Sequence, residues 1–234
     1  MRCALKKLIV KFLRIIMKYK AVIFDLNGTT VLEKDPQLVL NCFEYAFKDH
    51  GISVTKELIK NNRGKDKHEM IKIILQETNH SVILTESILF SFKEHLQKNL
   101  NNFSENYGFR ELLKYLKENK IKVGIGTGFP REIFDGIFSY LKWEELELDY
   151  IGIAEEIGKG RPHPDMIFDM MDKLNIKKNE LLKVGDTVAD IQEGKNAGVA
   201  TAVILSGTQN EEDLLKENPD FVIRSLIEIK AIIN

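Results

Sequence analysis

The sequence predicts an α/β fold, in which a Rossmann-like, three-layer, doubly wound parallel sheet carries an inserted all-helical cap. Over residues 104–234, short apolar runs rich in β-branched residues alternate with helical patterns, as in a parallel sheet covered on both faces. Residues 35–103 show helical periodicity instead, with no strand-like run of comparable strength. We therefore predict a core domain of residues 18–34 and 104–234 and a helical cap domain of residues 35–103.

The elements follow from the period of the apolar residues and from the flanking glycines and prolines. The first strand is predicted from Tyr19 to Phe24, a buried run that ends at Asp25. Within the cap, helices are predicted at His68–Glu77 and Thr85–Leu100. The later strands and helices mostly alternate, as in a doubly wound sheet, but no helix is predicted between the last two strands. These strands are Ile121–Ile125, Tyr150–Ile153, Leu181–Val184, Ala200–Leu205 and Phe221–Ile223, and the helices are Phe109–Asn119, Pro130–Leu141, Pro164–Leu174, Ala189–Ala197 and one at the C-terminus.

The composition is ordinary for a globular protein and argues against several classes. Of 234 residues, 44% are hydrophobic and 29% charged, and the formal net charge is −1, so nothing indicates a nucleic-acid partner. The two cysteines, Cys3 and Cys42, form no disulfide framework and fit a reducing, cytoplasmic compartment. Because no CxxC pattern is present, we expect any metal to be a hard cation held by oxygen.

Residues 1–17 form a basic amphipathic extension without an acidic residue. Its apolar residues recur at helical spacing, so a membrane-surface helix or a targeting peptide are two interpretations. The favoured one is a short extension, with Met17 as an alternative start. Lys11 and Arg14 interrupt the apolar run, and we expect no membrane span.

Polar residues follow three of the predicted strands. Asp25, Thr127 and Asp186 each lie just beyond the carboxyl end of a strand. Ligands bind at this edge of open α/β sheets, and core packing does not explain three polar residues there. The sequence therefore predicts a ligand site at this edge.

The residue types at this edge suit phosphoryl transfer. The Asp25 carboxylate can attack phosphorus to form an aspartyl-phosphate, and Gly28 and Thr29 suit a tight turn whose backbone amides are available to a phosphate. Asp186 and Asp190 add carboxylates. Several converging anions need a cation, and Mg²⁺ prefers carboxylate, phosphate and water oxygens.

Two further segments supply groups for a phosphate. Thr127, which precedes Gly128, can donate a hydrogen bond to a phosphate oxygen, and Arg161 can neutralise charge on the nucleophile and the phosphate. Each residue alone is weak, because an aspartate after a strand often only caps a helix. The ordered set, with the expected element before each member, favours a site.

Four segments in this order resemble the haloacid dehalogenase superfamily of aspartate-nucleophile hydrolases, over nearly all of residues 18–234. Within it, the match is most similar to the phosphonatase (phosphonoacetaldehyde hydrolase) and phosphonatase-like hydrolases. The last two segments are the most specific, since this group has arginine where most relatives with this cap have lysine. The segments are AVIFDLNGTTV (Ala21–Val31), GTGFPREI (Gly126–Ile133), GRPHPDM (Gly160–Met166) and KVGDTVADIQEGKNAG (Lys183–Gly198).

The resemblance implies a role for each matching residue. Asp25 would be the nucleophile and a metal ligand, Asn27 would offer its backbone carbonyl to Mg²⁺, Asp186 would be a metal ligand, Asp190 would support the metal or its waters, and Thr127 and Arg161 would bind phosphate.

One position departs from the phosphatase pattern. Asn27 stands where phosphatases of the superfamily have a second aspartate as general acid, and loss of a general acid costs roughly 10²–10⁴-fold in rate. Phosphonatase also lacks that acid and uses a cap lysine that forms a Schiff base with the aldehyde. Lys67, three residues after Gly64, stands at that position, although Arg63 replaces the expected methionine. Such a lysine must be neutral to attack, whereas a lysine in a charged stretch is more often a solvated surface residue.

The sequence leaves three functions open. The first is hydrolysis of a small phosphonate or phosphorylated metabolite, the second a phosphoglycolate-phosphatase-type phosphomonoesterase, and the third a non-catalytic protein that binds a phosphometabolite. The expected partner is a small-molecule substrate, and the oligomeric state, with a homodimer as one alternative, stays open.

Overall fold

The computed structural model describes residues 18–233, so the predicted extension of residues 1–17 lies outside the described part. A six-stranded sheet forms the centre, in the order β5-β4-β1-β6-β7-β8, and every neighbouring pair is parallel. This confirms the predicted fold class. The strands of this sheet are β1 (Ala21–Asp25), β4 (Lys122–Thr127), β5 (Tyr150–Ile153), β6 (Leu181–Gly185), β7 (Ala200–Ile204) and β8 (Phe221–Ile223).

Helices cover both faces of the sheet, and four of them lie between the first strand and the rest of the core. Those four are α1 (Leu38–Lys48), α2 (Lys56–Asn61), α3 (Lys67–Glu77) and α4 (Thr85–Gln97). The later ones are α5 (Phe109–Glu118), α6 (Arg131–Tyr140), α7 (Ala154–Ile157), α8 (Asp165–Leu174), α9 (Val188–Ala197), α10 (Glu211–Lys216) and α11 (Ile229–Ile233).

The strand β1 lies in the middle of the sheet because its side chains are apolar on both faces. All five of its residues are buried, as expected for a strand covered by helices on either side. Phe24 packs edge-on against Phe109 of α5, with ring centroids 5.9 Å apart. The hydrophobic layer continues into the inserted helices, where Phe43 of α1 stacks on Phe92 of α4 at 3.9 Å.

Two short strands were not predicted. β2 (Val31–Glu33) pairs antiparallel with β3 (Phe103–Glu105), and the two together flank the inserted helices. Three residues are too few to show a period of two, and their partner lies about seventy residues away in the chain. The short helices α7 and α10 were also missed, and α4 ends at Gln97, before the predicted Leu100. The division at residues 35 and 103 stays a prediction.

Within residues 18–233, none of the helices is both long enough and apolar enough to cross a membrane.

Candidate active site

The three polar residues that follow predicted strands do meet at one edge of the sheet. β1 lies between β4 and β6, so the carboxyl ends of these three strands are adjacent. Asp25 is the last residue of β1 and pairs with Gly126 of β4. Thr127 is the last residue of β4, and Asp186 comes directly after β6. All three polar side chains are buried. A buried polar group needs a partner, so this edge is a candidate site.

Three carboxylates form a cluster there. Asp25, Asp186 and Asp190 each offer one oxygen, and these oxygens lie within 4.8 Å of one another. Thr187 caps α9, since its hydroxyl accepts a hydrogen bond from the Asp190 amide at 3.2 Å. In return, the Asp190 carboxylate accepts hydrogen bonds from the Thr187 hydroxyl at 2.5 Å and from its amide at 3.2 Å. This capping box fixes the orientation of the Asp190 carboxylate.

Asp186 is held by the two loops that pass beside it. Its carboxylate accepts hydrogen bonds from the amide and hydroxyl of Thr208, at 2.7 and 2.5 Å, and from the hydroxyl of Thr29 at 3.2 Å. Gly28 has a φ of +93°, and a Cβ added there would lie 2.2 Å from Asp186 Oδ2. Only glycine permits this turn and the close approach of the carboxylate.

Arg161 joins two members of the cluster. Its NH1 donates hydrogen bonds to Asp25 Oδ1 and to Asp190 Oδ1, both at 2.5 Å, and its side chain is almost fully buried. Burial alone would lower the pKa of the guanidinium, but the two carboxylates outweigh burial and raise it. Arg161 therefore stays charged and orients the carboxylates of Asp25 and Asp190.

Burial and charge act differently on the three carboxyl groups. Burial is the main cause that raises the pKa of Asp25. Burial also raises the pKa of Asp186, to about 7, and the neighbouring charges of Asp25 and Asp190 add to this effect. Burial acts against ionisation of Asp190 as well, but Arg161 and Lys183 outweigh it and lower the pKa. The cluster thus holds more negative charge than Arg161 alone can neutralise.

A buried lysine and glutamate behind the cluster were missed. Lys183 Nζ lies 2.9 Å from Asp190 Oδ1 and 2.9 Å from Glu193 Oε2, and both partners are fully buried. Burial alone would lower the pKa of Lys183, but these two carboxylates raise it. The sequence does hold a signal for this, because a lysine interrupts the buried strand β6 and buried lysines are almost always paired.

The loop between α2 and α3 lies directly on the core. A Cβ added at Gly64 would lie 2.4 Å from the Thr187 hydroxyl, and one at Gly128 would lie 2.7 Å from the backbone oxygen of Lys65. Asp66 makes a similar approach to Gly160. The inserted helices therefore cover the carboxylate cluster.

A cavity of about 30 Å³ lies between this loop and the core. Both parts of the chain contribute side chains to it. The core residues are Asp25, Asn27, Thr127, Gly128, Phe129, Arg161, Thr187 and Thr208, and the inserted helices and their loops contribute Val39, Phe43, Ile59, Arg63, Gly64, Lys67 and Met70.

Lys67 is not a surface lysine. It is the first residue of α3, its side chain lines the cavity, and it is only 9% exposed. Its Nζ donates to the Lys65 carbonyl at 3.1 Å and lies 5.3 Å from the centroid of the Phe129 ring. Among the described residues, no carboxylate is within ion-pair distance of this Nζ. Burial, and next the Arg161 charge, lower the pKa of Lys67 to about 8.

Glu33 was also missed, and it connects the core to the inserted helices. Its Oε1 accepts hydrogen bonds from Asn27 Nδ2 at 2.9 Å and from Arg63 NH2 at 2.8 Å, and its Oε2 accepts one from the Val39 amide at 3.0 Å. The side chains of Glu33 and Arg63 are 3% and 10% exposed. No local pattern joins these residues, because they lie in the turn after β1, in β2, in α1 and in the loop after α2.

Of the residues predicted to bind phosphate, Thr127, Gly128 and Arg161 line the cavity. Thr29 is buried, donates its hydroxyl hydrogen to Asp186, and does not line the cavity. Its contact with a phosphate stays a prediction.

The fold and the site define a class of protein, a doubly wound α/β enzyme whose buried carboxylate cluster lies at the strand edge under a helical insertion. The family model described as haloacid dehalogenase-like hydrolase matches residues 22–204. The chain belongs to this family and is a hydrolase.

Relatives of known name agree with this assignment. The phosphonoacetaldehyde hydrolase of Bacillus cytotoxicus is 30% identical over 206 residues, which are 82% of this chain and 78% of the relative. That of Bacillus cereus is also 30% identical, over 91% of this chain and 87% of the relative. These matches confirm the resemblance to the phosphonatase group.

Solved structures share the fold. A phosphonoacetaldehyde hydrolase-like protein from Oleispira antarctica has a TM-score of 0.82 at 22% identity, covering 92% of this chain and 91% of that protein. A predicted phosphoglycolate phosphatase from Haemophilus somnus has a TM-score of 0.77 at 18% identity, covering 94% of this chain and all of that one.

Proposed function

We propose that this protein is a Mg²⁺-dependent hydrolase of a small phosphonate or phosphorylated metabolite, with the phosphonatase-like reaction as its chemistry. The observation that carries the proposal is Lys67, a buried cavity lysine without a carboxylate partner among residues 18–233, in the same cavity as Asp25. The names of the relatives from Bacillus support it.

Lys67 supplies the electron sink in this proposal. Its neutral amine adds to the aldehyde carbon of the substrate, water leaves, and the imine nitrogen takes up one proton from the solvent, so that a protonated imine forms. The pKa of about 8 makes a useful fraction of the amine neutral near pH 7, which an ordinary lysine would not provide.

Asp25 supplies the nucleophile. Its carboxylate attacks phosphorus, the C–P bond breaks, and the bonding electrons move into the imine to form an enamine. The enamine carbon then takes up a proton to restore the imine, and water hydrolyses the imine to acetaldehyde and the free Lys67 amine and the aspartyl-phosphate to phosphate and the Asp25 carboxylate. Arg161, which already holds the Asp25 carboxylate, keeps the attacking oxygen in place and contacts the phosphoryl oxygens together with Thr127 and Gly128.

The carboxylate cluster fits a magnesium ion. Three carboxylate oxygens lie close together, and the hydrogen bonds that Asp186 accepts from the described residues come from the neutral Thr29 and Thr208. Asp25, Asp186 and Asp190 would hold the ion with the backbone carbonyl of Asn27. When bound, Mg²⁺ neutralises charge on the phosphoryl oxygens and on the attacking carboxylate.

The test measures phosphate release from phosphonoacetaldehyde and from phosphoglycolate, with Mg²⁺ and with a chelator. We expect Mg²⁺-dependent release from phosphonoacetaldehyde, no measurable release by Asp25→Asn, and reduction by borohydride of a two-carbon adduct on Lys67. Release from phosphoglycolate alone, with no adduct on Lys67, would instead make the protein a phosphomonoesterase. Binding of both compounds without any phosphate release would favour the phosphometabolite-binding alternative.

A further inference from the structure

Asn27 is held in one orientation by Glu33. A carboxylate only accepts hydrogen bonds, so the amide group of Asn27 must direct its NH₂ at Glu33 Oε1, which it contacts at 2.9 Å. Arg63 and the Val39 amide hold Glu33 itself, through both carboxylate oxygens. The amide therefore cannot turn over without breaking this set of contacts.

This orientation leaves an unused acceptor. Asn27 Oδ1 is inaccessible to solvent and has no hydrogen-bond partner among residues 18–233, while Asn27 itself lines the cavity with Asp25 and Lys67. An unpaired buried acceptor is unfavourable, because it has lost its hydrogen bond to water without gaining another. A ligand with a hydrogen-bond donor in the cavity would supply the missing hydrogen bond.

We propose that Asn27 Oδ1 determines specificity by accepting a hydrogen bond from a hydroxyl group on the organic group that is bonded to phosphorus in the substrate. Glu33 is the residue that positions the Asn27 side chain. This proposal rests on the proposed function, because it takes the ligand to be a phosphonate or a phosphate ester. The cavity wall also carries Lys67, Arg63 and Arg161, and these cations disfavour an ammonium group as the donor. A hydroxyl is therefore the donor that fits.

The same acceptor suits the proposed reaction. When the Lys67 amine adds to an aldehyde, the nitrogen bonds to the carbonyl carbon, and the oxygen takes up a proton to become a hydroxyl. Asn27 Oδ1 can accept a hydrogen bond from that hydroxyl. In a phosphatase, an aspartic acid at this position donates a proton to the leaving group. Asn27 would instead accept a hydrogen bond from the hydroxyl.

The test compares two nearly isosteric ligands that the enzyme cannot turn over through Lys67, 2-hydroxyethylphosphonate and propylphosphonate, in which a methyl group replaces the hydroxyl. Calorimetry on the whole protein with Mg²⁺ should show about tenfold tighter binding of the hydroxyl compound, as one buried hydrogen bond provides. In Asn27→Ala the two dissociation constants should become equal. In Glu33→Gln, whose amide can also donate and so release the Asn27 side chain, the ratio should fall toward one.

The control is Glu105→Gln, a second carboxylate-to-amide change in the neighbouring strand β3. Glu105 accepts from Trp143 Nε1 at 2.7 Å and does not line the cavity, so this variant should keep the tenfold ratio. 2-Aminoethylphosphonate should bind more weakly than the hydroxyl compound, and tighter binding would overturn the choice of a hydroxyl.

Binding of inorganic phosphate distinguishes a failure of the acceptor role of Asn27 from a failure of the proposed function. If phosphate binds but the wild type does not distinguish the two phosphonates, or binds neither, the acceptor role is wrong and the proposed function stands. If Glu33→Gln keeps the full ratio, Glu33 has no positioning role. If phosphate itself does not bind, the proposed function is wrong as well as the acceptor role. Phosphate binding by Asn27→Ala also shows that this variant is folded.

Discussion

Two buried lysines of this protein have opposite surroundings. Lys67, at the start of α3 over the site, is 9% exposed and has no carboxylate partner among residues 18–233. Lys183, in the core strand β6, is 1% exposed and lies 2.9 Å from both Asp190 and Glu193. Burial lowers the pKa of Lys67 to about 8, whereas the two carboxylates outweigh burial at Lys183 and raise its pKa. Burial is common to both, and the neighbouring charges decide the difference.

In the proposed function, this difference separates a reactive amine, Lys67, from a structural one, Lys183. An amine with a lowered pKa can be neutral and attack a carbonyl, while an amine held by two carboxylates stays charged and neutralises them. We therefore expect changes at Lys67 to affect chemistry and changes at Lys183 to affect folding.

The largest effect is expected for Lys67→Arg. A guanidinium keeps the positive charge but forms no Schiff base, so turnover of phosphonoacetaldehyde should fall by more than about 10³-fold. The measurement is phosphate release at saturating substrate, with the melting temperature as a check of folding. Lys65→Arg is the matched control, because the Lys65 side chain bonds Asn62 at 2.7 Å and does not line the cavity. Equal rates for the two variants would show that Lys67 forms no essential adduct.

The second effect is on stability, for Lys183→Met. Methionine leaves Glu193 without a cation and Asp190 with Arg161 alone, and breaking a buried ion pair costs roughly 3–5 kcal/mol. The melting temperature of a chain of this length should fall by about 6–20 °C. Lys122→Met is the control, since Lys122 forms an exposed ion pair with Asp149, worth less than about 1 kcal/mol. Equal melting temperatures for the two variants would contradict a structural role for Lys183.

Much of the core was predictable from the sequence. Each strand of the central sheet follows from its short apolar run, and the convergence of Asp25, Thr127 and Asp186 follows from a rule about the ends of parallel strands. The side of the site formed by the inserted helices was harder. Lys67 was identified only through a resemblance, and its burial could not be read from a stretch rich in charged residues.

The Glu33 contacts could not be predicted at all. They join the turn after β1, the helix α1 and the loop after α2, which no periodicity relates, and the strand β2 that places Glu33 is three residues long. Lys183 lies between these cases, because a lysine in a buried strand implies a partner but does not identify Glu193. Local patterns predict elements, whereas long-range hydrogen bonds depend on how the elements pack.

A third, smaller effect is the pH dependence of adduct formation at Lys67. Only the neutral amine attacks the aldehyde, and with a pKa of about 8 its fraction rises as pH rises. The initial rate of borohydride trapping, corrected for the rate in Lys67→Arg, should therefore increase about 50-fold from pH 6 to pH 8 and then level off. A rate that still rises tenfold per unit above pH 9 would indicate an ordinary lysine pKa, and the contrast with Lys183 would disappear.

The smallest effect, and the one with the opposite sign, is expected for Lys67→Met. Lys67 is a buried cation at the first turn of α3, where the helix dipole also disfavours positive charge. Methionine has a similar length, removes the charge, and can keep the contact with the Phe129 ring.

We therefore expect Lys67→Met to raise the stability by about 1 kcal/mol, or the melting temperature by about 2–4 °C, while it abolishes turnover. The measurement is thermal unfolding at pH 7 beside Lys65→Met, which removes a lysine outside the cavity. If Lys67→Met lowered the melting temperature as much as Lys183→Met does, Lys67 would be a structural cation with a hidden partner. A gain in stability together with lost activity would instead mean that the fold tolerates an unfavourable buried charge at this position because the reaction requires it.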